Sequence, residues 1–159
     1  MKRFRILILI SSILLILCNG QSTKQTKMDL KIVLDFIDAI NSADIDRLYN
    51  LMSNDHIFID SRDNAMTGNN NMKKAWTGYF DLFPDYKIEI TDTLQNDSII
   101  VILGYASGTY RANNNNIDSN NHWKVPAAWK AIVADNKIKL WQVYADNSVT
   151  IEIMNKNKK

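Results

Sequence analysis

Between Ala43 and Ser61 the sequence ADIDRLYNLMSNDHIFIDS changes its apolar spacing from three and four residues to two. Ile45, Leu48, Leu51 and Met52 fall on one side of a helix, because residues three and four apart share a helical face. Asp44 stands just ahead of them as an N-cap. Asn54-Asp55 reads as a turn into a strand, His56 to Asp60. Side chains alternate along a strand, so His56, Phe58 and Asp60 share one surface and Ile57 and Ile59 the other. A histidine, an aromatic ring and a carboxylate thus reach one strand face directly out of a helix. The rest of the chain reads as the walls of a pocket around that strand end.

Upstream, Asp29 is an N-cap candidate for the helix LKIVLDFIDAINS, in which Ile32, Val33, Phe36, Ile37 and Ile40 paint one apolar face. Downstream, SRDNAMTGNNN reads as a loop, and MKKAWTGYFDLF as a third helix stopped by Pro84. Trp76, Tyr79, Phe80 and Phe83 crowd its inner side. Four strand-like runs follow with no helix between them: YKIEITDTL, SIIVILGYASGTYRA, HWKVPAAWKAIV and KIKLWQVYADNSVTIEI. NNNNIDSNN between the second and third is an exposed hairpin tip, and Pro126 in the third predicts a bulge or bend. Helices grouped against one antiparallel sheet make an α+β fold. A long, twisted sheet of this kind closes over the three N-terminal helices as a cone with a cavity lined by both layers.

The first twenty residues belong to targeting. MKRFR is basic, ILILISSILLIL is apolar but short for a membrane span, and CNGQSTKQTK is polar, which is the layout of a secretory signal peptide. Two processing routes fit: lipidation of Cys18, as in a bacterial lipoprotein, or cleavage after Gly20. The expected product is periplasmic, secreted or membrane-anchored, through a lipid or a retained N-terminal anchor, with a polar linker over 21–28, a domain over 29–154 and a polar tail over 155–159. Removing Lys2, Arg3 and Arg5 from the 19 basic residues leaves 16 against 17 acidic ones. That balance gives no footprint for nucleic acid. Cys18 is the only cysteine, so the domain has neither a disulfide nor a catalytic thiol.

Three stretches carry a family resemblance. FIDAINSADIDRLYNLMSNDHIFIDS gives helix, break, capped helix and a strand ending in an acid; Thr67-Gly68 leads into MKKAWTGYF; and VPAAWKAIVADNKIKLWQVYADN is a hairpin ending in Tyr-Ala-Asp. From Asp29 to Ile153 the chain resembles the nuclear transport factor 2-like superfamily, in its SnoaL-like and ketosteroid isomerase-like branch. The resemblance implies a cystatin-like α+β barrel, Asp60 at the position of the isomerases' catalytic aspartate, and a homodimer. It also exposes two departures. Phe36 stands where the family's tyrosine would sit, and Ala127 to Trp129 contains no acid where the partner aspartate would fall.

Candidate site residues are therefore Asp60 as a general base or ligand contact, with Phe36, His56, Phe58, Trp76, Tyr79, Trp129, Trp141 and Asp146 around the ligand. Alternation places Trp141 opposite Tyr144 and Asp146 unless a bulge intervenes. With two histidines and no cysteine in the domain, no metal site is expected, and no phosphate loop or nucleophile elbow implies a cofactor. Two functions fit: an exported domain that binds a small apolar or cyclic molecule, or a cofactor-independent isomerase, cyclase or dehydratase using Asp60 on a small carbonyl compound. The missing donors favour the first, since an enolate needs groups aimed at it.

Overall fold

The computed structural model describes residues 25–112 and 117–157. The signal segment, Cys18, residues 21–24 of the linker, residues 113–116 of the expected hairpin tip and the last two residues of the tail lie outside the described residues, while residues 117–121 of that tip are strand.

Helix α1 covers residues 25–41 and starts earlier than the apolar stripe suggests. Residues 25–28 belong to it and not to a linker. Asp29 lies inside the helix, 4% exposed, where its carboxylate accepts from Gln25 Nε2 at 2.7 Å and caps nothing. Ile32, Val33, Phe36, Ile37 and Ile40 are buried as the stripe requires. Helix α2 (Ile45–Leu51) does take Asp44 as its cap, through the Arg47 N–H at 2.9 Å.

Strand β1 (Met52–Ile59) begins without any turn. Asn54 and Asp55 instead form a bulge, because five steps from Met52 to Ile57 oppose two steps from Ile138 to Leu140. β2 (Ala65–Thr67), expected as loop, folds back antiparallel onto β1. Helix α3 (Asn69–Leu82) leads to β3 (Lys87–Asn96), β4 (Ile99–Arg111), β5 (Ile117–Ala134) and β6 (Lys137–Ala145).

The sheet runs β2-β1-β6-β5-β4-β3. It is mixed, since β1 lies parallel to β6 while the other pairs are antiparallel. Its concave face wraps α1 and α3, giving the expected α+β cone. Curvature is built in at Gly104. A Cβ there would stand 1.8 Å from the Glu89 carbonyl oxygen, beside the bulge between Ile90 and Asp92. Pro126 makes no bulge. It pairs with Tyr105 in an unbroken stretch of ladder and lies just past Ala127↔Ala145, where β6 has ended and no rung is lost on that side.

The chain end also departs from expectation. SVTIEI is rich in β-branched residues but forms helix α4 (Ser148–Lys156). Asp146 accepts the Ser148 N–H at 2.9 Å, and Asn147 donates from Nδ2 to Ser61 Oγ at 2.8 Å, so the turn after β6 is fastened to the turn after β1.

Candidate functional site

A cavity of about 260 Å³ opens between α3 and the concave sheet face. Helical periodicity supplies one wall: Met72, Ala75, Trp76 and Tyr79 recur at three- and four-residue spacing along α3. Strand alternation supplies the other. Phe58 and Asp60 come from β1 and its end, Trp123 and Trp129 from β5, and Trp141, Val143 and Ala145 from β6. Tyr86 enters from just ahead of β3, held there because Thr109 donates its N–H (2.6 Å) and its hydroxyl (2.7 Å) to Asp85. Seven of the fifteen lining residues are aromatic. The floor is apolar and closed: Trp129 is fully buried, Trp141 1% and Met72 2% exposed, while Phe58, Asp60, Ala75 and Tyr79 are half-buried at the mouth.

The rings brace one another. Tyr79 meets Tyr86 edge-on at 5.0 Å and Trp76 at 5.8 Å, and Tyr86 lies 6.1 Å from Trp123. Burial pushes both tyrosine hydroxyls well above their usual range, so both stay protonated. The Trp129 indole N–H lies close enough to favour a Tyr86 anion but falls short of a sound hydrogen bond.

Asp60 sits at the mouth, and its carboxylate is engaged. Oδ1 accepts the N–H of Arg62 (2.8 Å) and of Asn64 (2.9 Å), and Oδ2 accepts Asn64 Nδ2 (3.0 Å). Burial alone would raise this acid, but the Asn64 side chain, the two backbone donors and the Arg62 charge outweigh it and hold it below the ordinary carboxylate range. A return link closes the turn itself, with the Asp60 N–H on the Asn64 carbonyl at 3.0 Å.

Of the residues the sequence nominates, Phe58, Asp60, Trp76, Tyr79, Trp129 and Trp141 line the cavity. Phe36, His56 and Asp146 do not. Phe36 packs behind the wall, 5.1 Å from Trp141 and 6.3 Å from His56. His56 is fully buried and donates from Nδ1 to the Ile138 carbonyl at 2.8 Å, which stitches the β1 bulge to β6. Burial lowers its pKa, outweighing the Ile138 contact and the Asp55 charge, so it is neutral and structural. Asp146 is exposed and caps the α4 turn, on the outward parity that also carries Tyr144. Tyr86, Trp123, Ser61 and Asn147 are lining residues that the sequence did not nominate. Trp123 has the inward parity of Trp129, six residues on, which is the signal that finds it.

Below the mouth a wider groove of about 440 Å³ runs between the Asp60–Arg62 turn, the end of α3 and the inner side of α4. Asp60, Ser61, Tyr79, Trp123 and Asn147 line both spaces. Among the described residues no cluster of three His, Cys, Asp or Glu exists to hold a metal ion, and no helix is long and apolar enough to cross a membrane.

A family model described as SnoaL-like domain matches residues 33–141. Among solved structures, a hypothetical protein with a ketosteroid isomerase-like fold from Catenulispora acidiphila, in complex with trimethylamine, superposes at TM-score 0.66 with 17% identity, covering 78% of this chain and 92% of that one. An LEH-like epoxide hydrolase from M. tuberculosis gives TM-score 0.68 at 12% identity, covering 83% and 92%. A protein provisionally assigned as a SnoaL-like polyketide cyclase from Shewanella putrefaciens gives 0.69 at 14%, covering 87% and 94%. Likeness at this level of identity shows the fold alone. The curated protein sequences contain no match.

Proposed function

The chain belongs to the SnoaL-like domain family, and from that membership we propose a small-molecule-binding domain whose aromatic cavity takes a small apolar or cyclic ligand at the end of β1. The observation that carries this reading is the combination at the mouth: a largely aromatic wall with one carboxylate whose two oxygens already hold three hydrogen bonds. A general base works best with a pKa raised toward the operating pH. Asp60 has donors on both oxygens and a depressed pKa, so it serves recognition better than proton abstraction. The trimethylamine held by the relative from Catenulispora acidiphila supports a small organic molecule as the scale of ligand.

A catalytic reading has one observation in its favour. The Tyr79 and Tyr86 hydroxyls, kept protonated by burial, belong to the same cavity wall as Asp60. They would replace the donors missing at Phe36 and at Ala127 to Trp129, and such a donor is worth about 3 kcal/mol to a developing oxyanion. In that case the protein is an isomerase, cyclase or dehydratase acting on a small carbonyl compound, with Asp60 as base.

A thermal-shift screen of small apolar and cyclic compounds against wild type and Asp60→Asn, with mass spectrometry of the incubated hits, separates the two. Stabilisation with compounds recovered unchanged is expected. Conversion that wild type performs and Asp60→Asn does not would replace the binding reading with the catalytic one. We further place the protein outside the cytoplasm, periplasmic, secreted or membrane-anchored. The mass of the mature N-terminus distinguishes diacylglyceryl-Cys18 from Gln21 and from a retained anchor with Met1 intact, and recovery of the protein in the cytoplasmic fraction would contradict export.

A further inference from the structure

We propose that the cavity selects an organic cation, a small alkylated ammonium group, over a neutral molecule of the same shape. This rests on the reading of the cavity as a ligand site and adds the charge of what it takes.

Charge is the first argument. Among the described residues of the cavity wall, Asp60 is the only carboxylate, and no Lys, Arg or His balances it. The partners of its oxygens are two backbone N–H groups and the Asn64 amide, which are neutral donors that leave the full negative charge in place. The Arg62 charge, which helps keep Asp60 ionised, stands outside the wall: its side chain lines only the outer groove and is exposed there. A half-buried negative charge facing an apolar space raises the local concentration of cations and disfavours anions.

The rings are the second argument. The indole nitrogens of Trp76, Trp123 and Trp129 are all enclosed and find no acceptor in the protein. What these three side chains turn to the cavity is carbon, so the wall offers aromatic surface and not a row of donors for a carbonyl. An aromatic ring face attracts a cation within about 6 Å of its centroid, indole most strongly, and the attraction grows when water is excluded.

Hydration and size select the kind of cation. A metal ion or a primary ammonium would have to replace its water shell largely with one carboxylate. An alkylated ammonium spreads its charge over methyl groups, so it is at home against rings and near a single anion. The volume of about 260 Å³ lies below the ~300–1,000 Å³ of drug-sized sites, which suits a compact head group.

The test is isothermal titration of the mature protein with three probes. These are choline, its neutral isostere 3,3-dimethyl-1-butanol, and 2-naphthol as a flat neutral reference. Choline is expected to bind about tenfold more tightly than the isostere, the span that one desolvated cation–ring contact provides. Phe58→Leu and Tyr79→Leu, which remove a ring at the mouth, and Asp60→Asn should each shrink that ratio, because choline loses more affinity than the isostere does. Three variants at independent positions keep the test alive if one does not fold. Equal binding of choline and isostere, or a ratio that none of the variants changes, overturns the cation inference and leaves the ligand-site reading standing. The same holds if only 2-naphthol binds. Failure of all three probes overturns the ligand-site reading itself.

Discussion

Asp60 and Asn64 close the turn at the cavity mouth on each other. The Asp60 N–H donates to the Asn64 carbonyl at 3.0 Å, and the Asn64 backbone and side-chain N–H groups return to the two Asp60 oxygens at 2.9 and 3.0 Å. One residue thereby both shapes the entrance and charges it. Asp60→Ala should cost about 1–2 kcal/mol of stability, the range of a lost cap, read as a shift of the urea midpoint at unchanged slope. The folded pKa is depressed, so this contribution is fully present above the ordinary carboxylate value and is lost as pH falls below it through the folded value. The difference between wild type and Asp60→Ala should therefore close in acid.

His56 shows the opposite use of a polar residue. It is fully buried, bonded through Nδ1 to Ile138, and its pKa is lowered by burial from 6.5. Below pH 6.5 the unfolded chain takes up a proton that the folded chain refuses until a lower pH, so stability falls as pH drops through that value. The urea midpoint of wild type should fall between pH 8 and pH 5.5, and that of His56→Gln should fall less. His56→Ala should lose about 3 kcal/mol at pH 8, through the hole it leaves and the unpaired Ile138 carbonyl.

Gly104 tests the curvature that makes room for the cavity. A methyl group there meets the Glu89 carbonyl oxygen at 1.8 Å, a backbone atom that cannot step aside. Gly104→Ala should cost about 3 kcal/mol or more, whereas Gly78→Ala, in open space on α3, should be neutral or stabilising. Thermal denaturation of the pair measures both.

These sites mark what the sequence could and could not say. The α3 stripe and the alternation of β5 and β6 were legible because burial follows period, and Trp76, Tyr79, Trp129 and Trp141 were found that way. Period does not report depth. His56 and Phe36 lie on the right sides of their elements but behind the wall, because the bulge at Asn54-Asp55 and the packing of α1 fill that level of the cone. Tyr86 carries no periodic signal, since it precedes β3 and owes its place to the Asp85–Thr109 contact. SVTIEI has strand-like residues, yet it is helical because β6 ends at Ala145 and Asp146 and Asn147 fasten the next turn.

The outer sheet face carries our expectation of a homodimer. Tyr105 is 38% and Tyr144 52% exposed there, and Leu103, Ala128 and Tyr144 form one row across three strands. Sedimentation should find a dimer that Tyr105→Lys combined with Tyr144→Lys converts to monomer. A monomeric wild type would remove the dimer from this account.

The central claim is that the space between α3 and the sheet is where the ligand sits. Ala75 is half-buried in its wall, and several tryptophans report on it. The most direct measurement is therefore intrinsic tryptophan fluorescence during titration with 2-naphthol, for wild type and for Ala75→Phe, which fills the space from α3. A saturable change in wild type that Ala75→Phe loses, with its circular dichroism unchanged, is the predicted result. A wild-type protein that shows no saturable change, or an Ala75→Phe protein that binds as tightly as wild type, would contradict it.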